Sequence, residues 1–122
     1  MAKHNEIGQK GEKIAEEHLR NLGFEILETN WRVRRLEVDI IAKDGKVLVF
    51  VEVKTRSSDF FGKPEEFVTP DKEKNMAKAA AEYMALIKHE WAIRFDVVSV
   101  LMKNEKEWKV ELLKDAFFPG LG

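Results

Sequence analysis

Asp39, Glu52 and Lys54 are of the types that hold a hard divalent cation and offset charge on a phosphoryl group. Glu52 and Lys54 stand two apart in a valine-rich run, so on an extended strand both point to the same side. Glu37 and Asp39 are likewise two apart in the run before it. Between the two runs lies Lys43-Asp44-Gly45-Lys46, and Asp-Gly flanked by strand patterns is a strong hairpin signal. With Lys43 opposite Lys46, Glu37 faces Glu52, Asp39 faces Phe50 and Arg35 faces Lys54. Asp39 then lies diagonal to Glu52, close enough for the two carboxylates to share an ion.

Crowded carboxylates repel, and burial resists their ionisation. Mg²⁺, or Mn²⁺ in its place, removes the conflict, because such an ion binds through one or two carboxylates and leaves its other positions to water and substrate phosphate. Lys54 would then neutralise charge building on the phosphoryl group or orient the attacking water. A solvated strand face with cross-strand salt bridges is the plainer account of Glu37, Asp39, Glu52 and Lys54. Against it stands the apolar character of both runs, which places these charges where burial is expected.

The elements that must position these residues follow from periodicity. Ile7, Gly11, Ile14, Ala15, His18, Leu19 and Leu22 form a helical stripe with Gly23 placed to end it. Gly8 and Gly11 inside that helix each cost about 1 kcal/mol against alanine, which close approach to a sheet or to a ligand would offset. Strands are expected at 24–31, 35–42, 47–56, 93–102 and 108–113. The third is apolar on both sides and therefore central. Thr69 is the expected N-cap of a second helix with Pro70 at its first position and Asp71 in its first turn. Its stripe is Met76, Ala79, Ala80, Tyr83, Met84 and Ile87, and it ends near Lys88. The order is helix-strand-strand-strand-helix-strand with a further strand. This predicts an α/β fold whose mixed β-sheet is flanked by helices, with the helical crossover making strands three and four parallel. The 122 residues are expected to form a single domain over 1–122.

The charge balance excludes a globally basic nucleic-acid or membrane-surface protein, since 21 Lys and Arg meet 22 Asp and Glu for a net charge of −1. Bases predominate locally, however, from Arg32 to Arg56. Arg32, Arg34, Arg35 and Arg56 are candidate contacts to a phosphate polymer, joined by Lys72 and Lys74, although exposed helix lysines are ordinarily just solvated. The chain has no cysteine, which removes disulfides, thiolate metal sites and a cysteine nucleophile. Its first residues lack an apolar leader, so a cytoplasmic location with no membrane association is expected. Neither a P-loop nor a dinucleotide-binding glycine fingerprint occurs. His4, His18 and His89 are scattered, and Asp96 reads as structural, paired with Arg94 or an arginine of the second strand. Phe60-Phe61-Gly62 could wedge into a branch point, cover the site, plug the core or serve a dimer contact. The apolar tail at 117–122 has no periodicity that decides its role.

Asp39, the hairpin and Glu52-Val53-Lys54 resemble the PD-(D/E)XK nuclease motif, and the element order is similar to the restriction-endonuclease-like core. Gly8-x-x-Gly11-Glu12-x-x-Ala15, Asn30-Trp31-Arg32, Glu37-Val38-Asp39-Ile40-Ile41-Ala42, the segment from Val49 to Arg56, and Arg94-Phe95-Asp96-Val97 more closely resemble the YraN-like bacterial family UPF0102, itself similar to archaeal Holliday-junction resolvases. The resemblance runs from about Ile7 to Val100. It implies that Asp39 and Glu52 are metal ligands, Lys54 the catalytic lysine, and Glu12 the additional catalytic and metal-binding acid of resolvase-like members. The implied activity is Mg²⁺-dependent endonuclease cleavage of DNA, branched DNA included, with a homodimer if two strands are cut. The alternatives are a non-catalytic nucleic-acid-binding or scaffolding module of the same fold and, less favoured, a phosphatase-like enzyme. Val38 replaces the motif's proline, and Leu36 stands where many such sequences have glycine.

Overall fold

The run that is apolar on both sides becomes the middle strand of a five-stranded sheet. The computed structural model describes residues 2–57, 69–104 and 106–117. In chain order its elements are α1 (Ala2–Asn21), β1 (Glu25–Val33), β2 (Leu36–Asp44), β3 (Val47–Ser57), α2 (Pro70–Ile87), β4 (Ile93–Met102) and β5 (Trp108–Leu113). The strands lie in the order β1-β2-β3-β4-β5. All neighbours are antiparallel except β3 and β4, which the α2 crossover makes parallel. The expected α/β architecture with a mixed sheet is therefore present. The expected loop residues Phe60, Phe61 and Gly62 lie outside the described residues, as does the tail beyond Phe117.

One helix covers each face of the sheet. Ile14, Ala15 and Leu19 of α1 pack on Ile40, Ala42, Val49, Val51, Val53, Val98 and Val100. Met76, Ala79, Ala80 and Tyr83 of α2 pack on Ile41, Leu48, Phe50 and Phe95. Phe50 is fully buried, stacks on Phe95 at 5.6 Å and meets the edge of Tyr83 at 6.3 Å. Truncating such a residue to alanine costs about 3–5 kcal/mol. The helix ends follow local chemistry: the Thr69 hydroxyl accepts from Lys72 N–H at 3.2 Å, and Pro70 opens α2. Gly23, at φ +94, turns the chain out of α1, with Phe24 N–H donating to the Leu19 carbonyl at 3.0 Å.

Two expectations of register need correction. The β2–β3 turn consists of Gly45 and Lys46, with Asp44 rather than Lys43 at the last paired position, opposite Val47. Gly45 takes φ +63, which suits the first turn position of a type II′ hairpin and which glycine adopts without steric cost. The pairing thus moves by one residue on each strand, so Ile41 and not Asp39 faces Phe50, and Glu37 does not face Glu52. Because the turn still has two residues, the parity of the strands is kept. The second correction concerns Arg35, expected to open a strand beside Lys54. Val33 pairs with Leu36, leaving Arg34 and Arg35 at the tip of the β1–β2 hairpin, with Arg34 at φ +55.

Candidate metal and phosphate site

The site is built where β2 stops behaving as a regular strand. Ile40 and Ala42 pack on the α1 side, as alternation requires, but Val38 joins Ile41 on the α2 side. The alternation therefore breaks at Asp39. The β2–β3 pairs run from Asp44 with Val47 to Ile40 with Val51, and beyond them the Asp39 Oδ2 accepts the Val53 N–H at 2.8 Å. A side-chain carboxylate has taken an acceptor's place in the sheet, which pins Asp39 between the two strands. On the other side of β2, Asn30 lies between the pairs Thr29 with Ile40 and Trp31 with Val38, in a left-handed conformation at φ 50. Asparagine tolerates that conformation better than most residues.

Glu52 comes from the neighbouring strand β3 and is 4 % exposed. Its Oε1 lies 3.3 Å from Lys72 Nζ and 3.7 Å from Lys54 Nζ. Its Oε2 is buried with no hydrogen-bond partner among the described residues. Burial, reinforced by the charge of Asp39, pushes the Glu52 carboxyl up to about 7 against the pull of Lys72 and Lys54. Burial also raises Asp39, opposed by the Val53 N–H and Lys72. Glu12 is raised by its own partial burial and by the charges of Asp39 and Glu37, while a hydrogen bond to Asn30 opposes the rise. A cleft of about 320 Å³ lined by Gln9, Glu12, Lys13, Asn30 and Asp39, among others, opens between α1 and the sheet. Asp39 is thus the shared member of two neighbourhoods: Glu12 and Asn30 on the α1 side, and Glu52 with its lysines.

The donor chemistry fits one hard divalent cation held by two carboxylates. Among the described residues no three acidic or histidine side chains form a group able to hold a metal, so Glu12 does not complete a three-residue set with Asp39 and Glu52. Mg²⁺ needs no such set, since it retains several waters. A buried carboxylate oxygen without a donor is costly, and a cation would satisfy Glu52 Oε2.

A family model described as "Uncharacterised protein family UPF0102" matches residues 11–100. The chain belongs to the UPF0102 family. Its relatives include a UPF0102 protein of Christiangramia forsetii, 46 % identical over 97 % of this chain and 98 % of the relative. Others are UPF0102 proteins of Thermodesulfovibrio yellowstonii, 45 % identical over 93 % of this chain and 96 % of the relative, and of Bacteroides thetaiotaomicron, 41 % identical over 99 % of each. Every candidate residue from Glu12 to Lys72 falls within the part that the UPF0102 family model matches.

In this UPF0102 protein the candidate phosphate contacts are less concentrated than their sequence run suggests. Arg32 Nε bonds Glu37 at 3.0 Å across the β1–β2 hairpin, which also engages the secondary candidate Glu37. Arg34 pairs with Glu82 of α2. Arg35 is exposed at the hairpin tip, and Arg56 donates to the Ser99 hydroxyl at 3.1 Å. Asp96 is structural, as expected: fully buried, it accepts from Arg94 at 2.8 and 2.9 Å and from Asp115 N–H at 2.9 Å. His89 is buried with Nε2 3.0 Å from the Ala92 carbonyl, and His18 is half-buried on α1.

The two glycines of α1 divide their expected roles. A Cβ on Gly11 would lie 1.9 Å from the Thr55 hydroxyl oxygen, so this glycine seats α1 against β3 one residue from Glu12. Gly8 meets nothing within 4 Å. Sequence reasoning missed the role of Asn30, the Val53 N–H and the reach of Lys72 to Glu52. An asparagine inside a strand pattern was the available signal for the first, and a lysine in a helix's first turn for the last.

Proposed function

We propose that this protein is a divalent-metal-dependent endonuclease of the PD-(D/E)XK type that hydrolyses DNA phosphodiester bonds, with branched, Holliday-junction-like DNA as its substrate. The observation that supports this most is Glu52, a carboxylate buried beside a second carboxylate, with one oxygen held by lysines and the other without a hydrogen-bond donor among the described residues. Asp39 and Glu52 would hold Mg²⁺ or Mn²⁺. When bound, such an ion lowers the pKa of a water and draws charge from phosphoryl oxygens.

The chain's own residues do the rest. The Val53 N–H fixes one Asp39 oxygen and leaves the second for ligation. Lys54, two residues along β3 from Glu52, offsets charge on the phosphate in the transition state. Glu12, held by Asn30 on the α1 side of Asp39, accepts a proton from, or orients, the attacking water. Arg35 and the other hairpin arginines contact the DNA backbone, with Arg56 beyond Lys54 on β3. Cutting both strands of a junction calls for two such sites, hence a homodimer, which sedimentation at micromolar concentration tests. The described helices include none long and apolar enough to cross a membrane, and a cytoplasmic location suits a DNA substrate.

The function is tested by incubating labelled linear, flapped and four-way DNA with the protein and Mg²⁺ or Mn²⁺. Cleavage of the branched forms in preference to the linear one is expected. Tight binding of all three forms without cleavage of any would replace the nuclease with a non-catalytic binding module.

A further inference from the structure

A lysine in the first turn of a helix is electrostatically misplaced, because the helix dipole is positive at that end and favours acids there. In α2 the neighbouring Asp71 and Glu73 obey the rule, and Lys72 between them does not. Its ammonium instead reaches across to β3 and lies 3.3 Å from Glu52 Oε1, nearer than the 3.7 Å of Lys54, whose position is fixed by the same strand. The Lys72 side chain keeps 37 % of its surface exposed, whereas that of Glu52 keeps 5 %. Lys72 is thus a flexible cation standing between a buried ligand and solvent. The formal charges of Asp39, Glu52, Lys54 and Lys72 already cancel, so a divalent ion entering among them brings an excess of positive charge unless an ammonium withdraws. Lys72 can withdraw outward along its exposed stem.

We infer that Lys72 is the resident counter-ion of the metal-free site, that a divalent cation displaces it from Glu52, and that the released ammonium then binds the substrate phosphate. The inference rests on Asp39 and Glu52 being the metal ligands. It makes Lys72 a device that couples metal entry to DNA grip: the formal charges of the site balance without metal, and metal entry frees a phosphate-binding cation. An extra base on the rim of a phosphate groove would strengthen DNA binding whether or not metal were present, so the two roles are separable.

Mn²⁺ binding to the full chain is measured by equilibrium dialysis for wild type, Lys72→Met, Lys72→Arg and the Asp39→Asn/Glu52→Gln double variant, with circular dichroism confirming that each is folded. Removing the competing ion pair is expected to tighten Mn²⁺ binding roughly tenfold in Lys72→Met. Lys72→Arg, which keeps the charge, stays near wild type. Binding of labelled four-way DNA is expected to weaken several-fold in Lys72→Met when Ca²⁺ is present and to be unchanged in EDTA. Unchanged or weaker Mn²⁺ binding by Lys72→Met overturns the displacement, and leaves the metal site standing provided the double variant loses the ion. Mn²⁺ binding that persists in the double variant, or that neither wild type nor Lys72→Met shows, overturns both.

Discussion

Replacing Gly11 by alanine tests how the site's framework is assembled. The new Cβ would meet Thr55 at 1.9 Å from its hydroxyl oxygen and at 2.8 Å from both its Cβ and Cγ2. Ordinary contact begins near 3.4 Å, so α1 must retreat by about 1.5 Å at this point or β3 must bend. A 1.9 Å approach belongs at the upper end of the overpacking range, about 2–3 kcal/mol, and the higher helix propensity of alanine returns about 1 kcal/mol, so a net loss of about 1–2 kcal/mol is expected. For a chain of this length that corresponds to a fall in Tm of roughly 4–10 °C. Gly8→Ala, where the added Cβ meets nothing within 4 Å, receives only the propensity gain and is expected to raise Tm slightly. Thermal unfolding of both variants, and of Gly11→Ala in a Thr55→Ala background, completes the test. Removing two of the three clashing atoms should recover about 1 kcal/mol of the penalty. A Gly11→Ala protein as stable as wild type, or a penalty that ignores Thr55, would refute the close seating of α1 on β3 and with it the placement of Glu12 beside Asp39.

Other outcomes follow from the same geometry. Unfolded Glu52 releases its proton near 4.5 and folded Glu52 near 7, so between those values the folded state holds the extra proton. Stability in EDTA should therefore fall by roughly 3 kcal/mol as pH rises through that window, and urea unfolding of Glu52→Gln should lose most of that fall, keeping only what the raised Asp39 and Glu12 carboxyls contribute; an identical pH slope would contradict the burial of this carboxylate. Asp39→Asn keeps an acceptor for the Val53 N–H and should unfold near the wild-type temperature. Asp39→Ala orphans that N–H and should lose about 1–3 kcal/mol, and equal stability of the two variants would count against the bond. Arg94→Ala leaves the fully buried Asp96 carboxylate without its cation and should cost about 3–5 kcal/mol in denaturant unfolding, a loss that an exposed pair would not produce.

The framework was legible because each element carries its own local signal. Thr69-Pro70 marks the start of α2, the valines of β3 mark a strand covered on both faces, and the crossover through α2 leaves β3 and β4 parallel. What failed to show was geometry set by single backbone conformations. Asp-Gly announces a hairpin without saying whether its glycine takes the first or second turn position, and Gly45 in the first shifted the pairing by one residue on each strand. Strict alternation brought Asp39 towards Glu52 by the wrong route. Asp39 reaches its place because β2 abandons alternation there and the Val53 N–H holds the carboxylate, an arrangement that depends on where β2 and β3 stop pairing. Lys72 was visible only as a phosphate candidate, since its approach to Glu52 depends on how α2 docks across Phe50 and not on any spacing along the chain.

The central claim is that Asp39 and Glu52 form the metal-holding heart of a nuclease, and Glu52→Gln tests it with almost no change in shape. Initial rates of four-way DNA cleavage in Mg²⁺ should fall by at least about 10²-fold in this variant, in line with the loss of a preorganised electrostatic contact. Folding is verified in the same preparation by its Tm. Cleavage by Glu52→Gln at a rate close to wild type would contradict the assignment and move the chemistry away from the Asp39 and Glu52 pair.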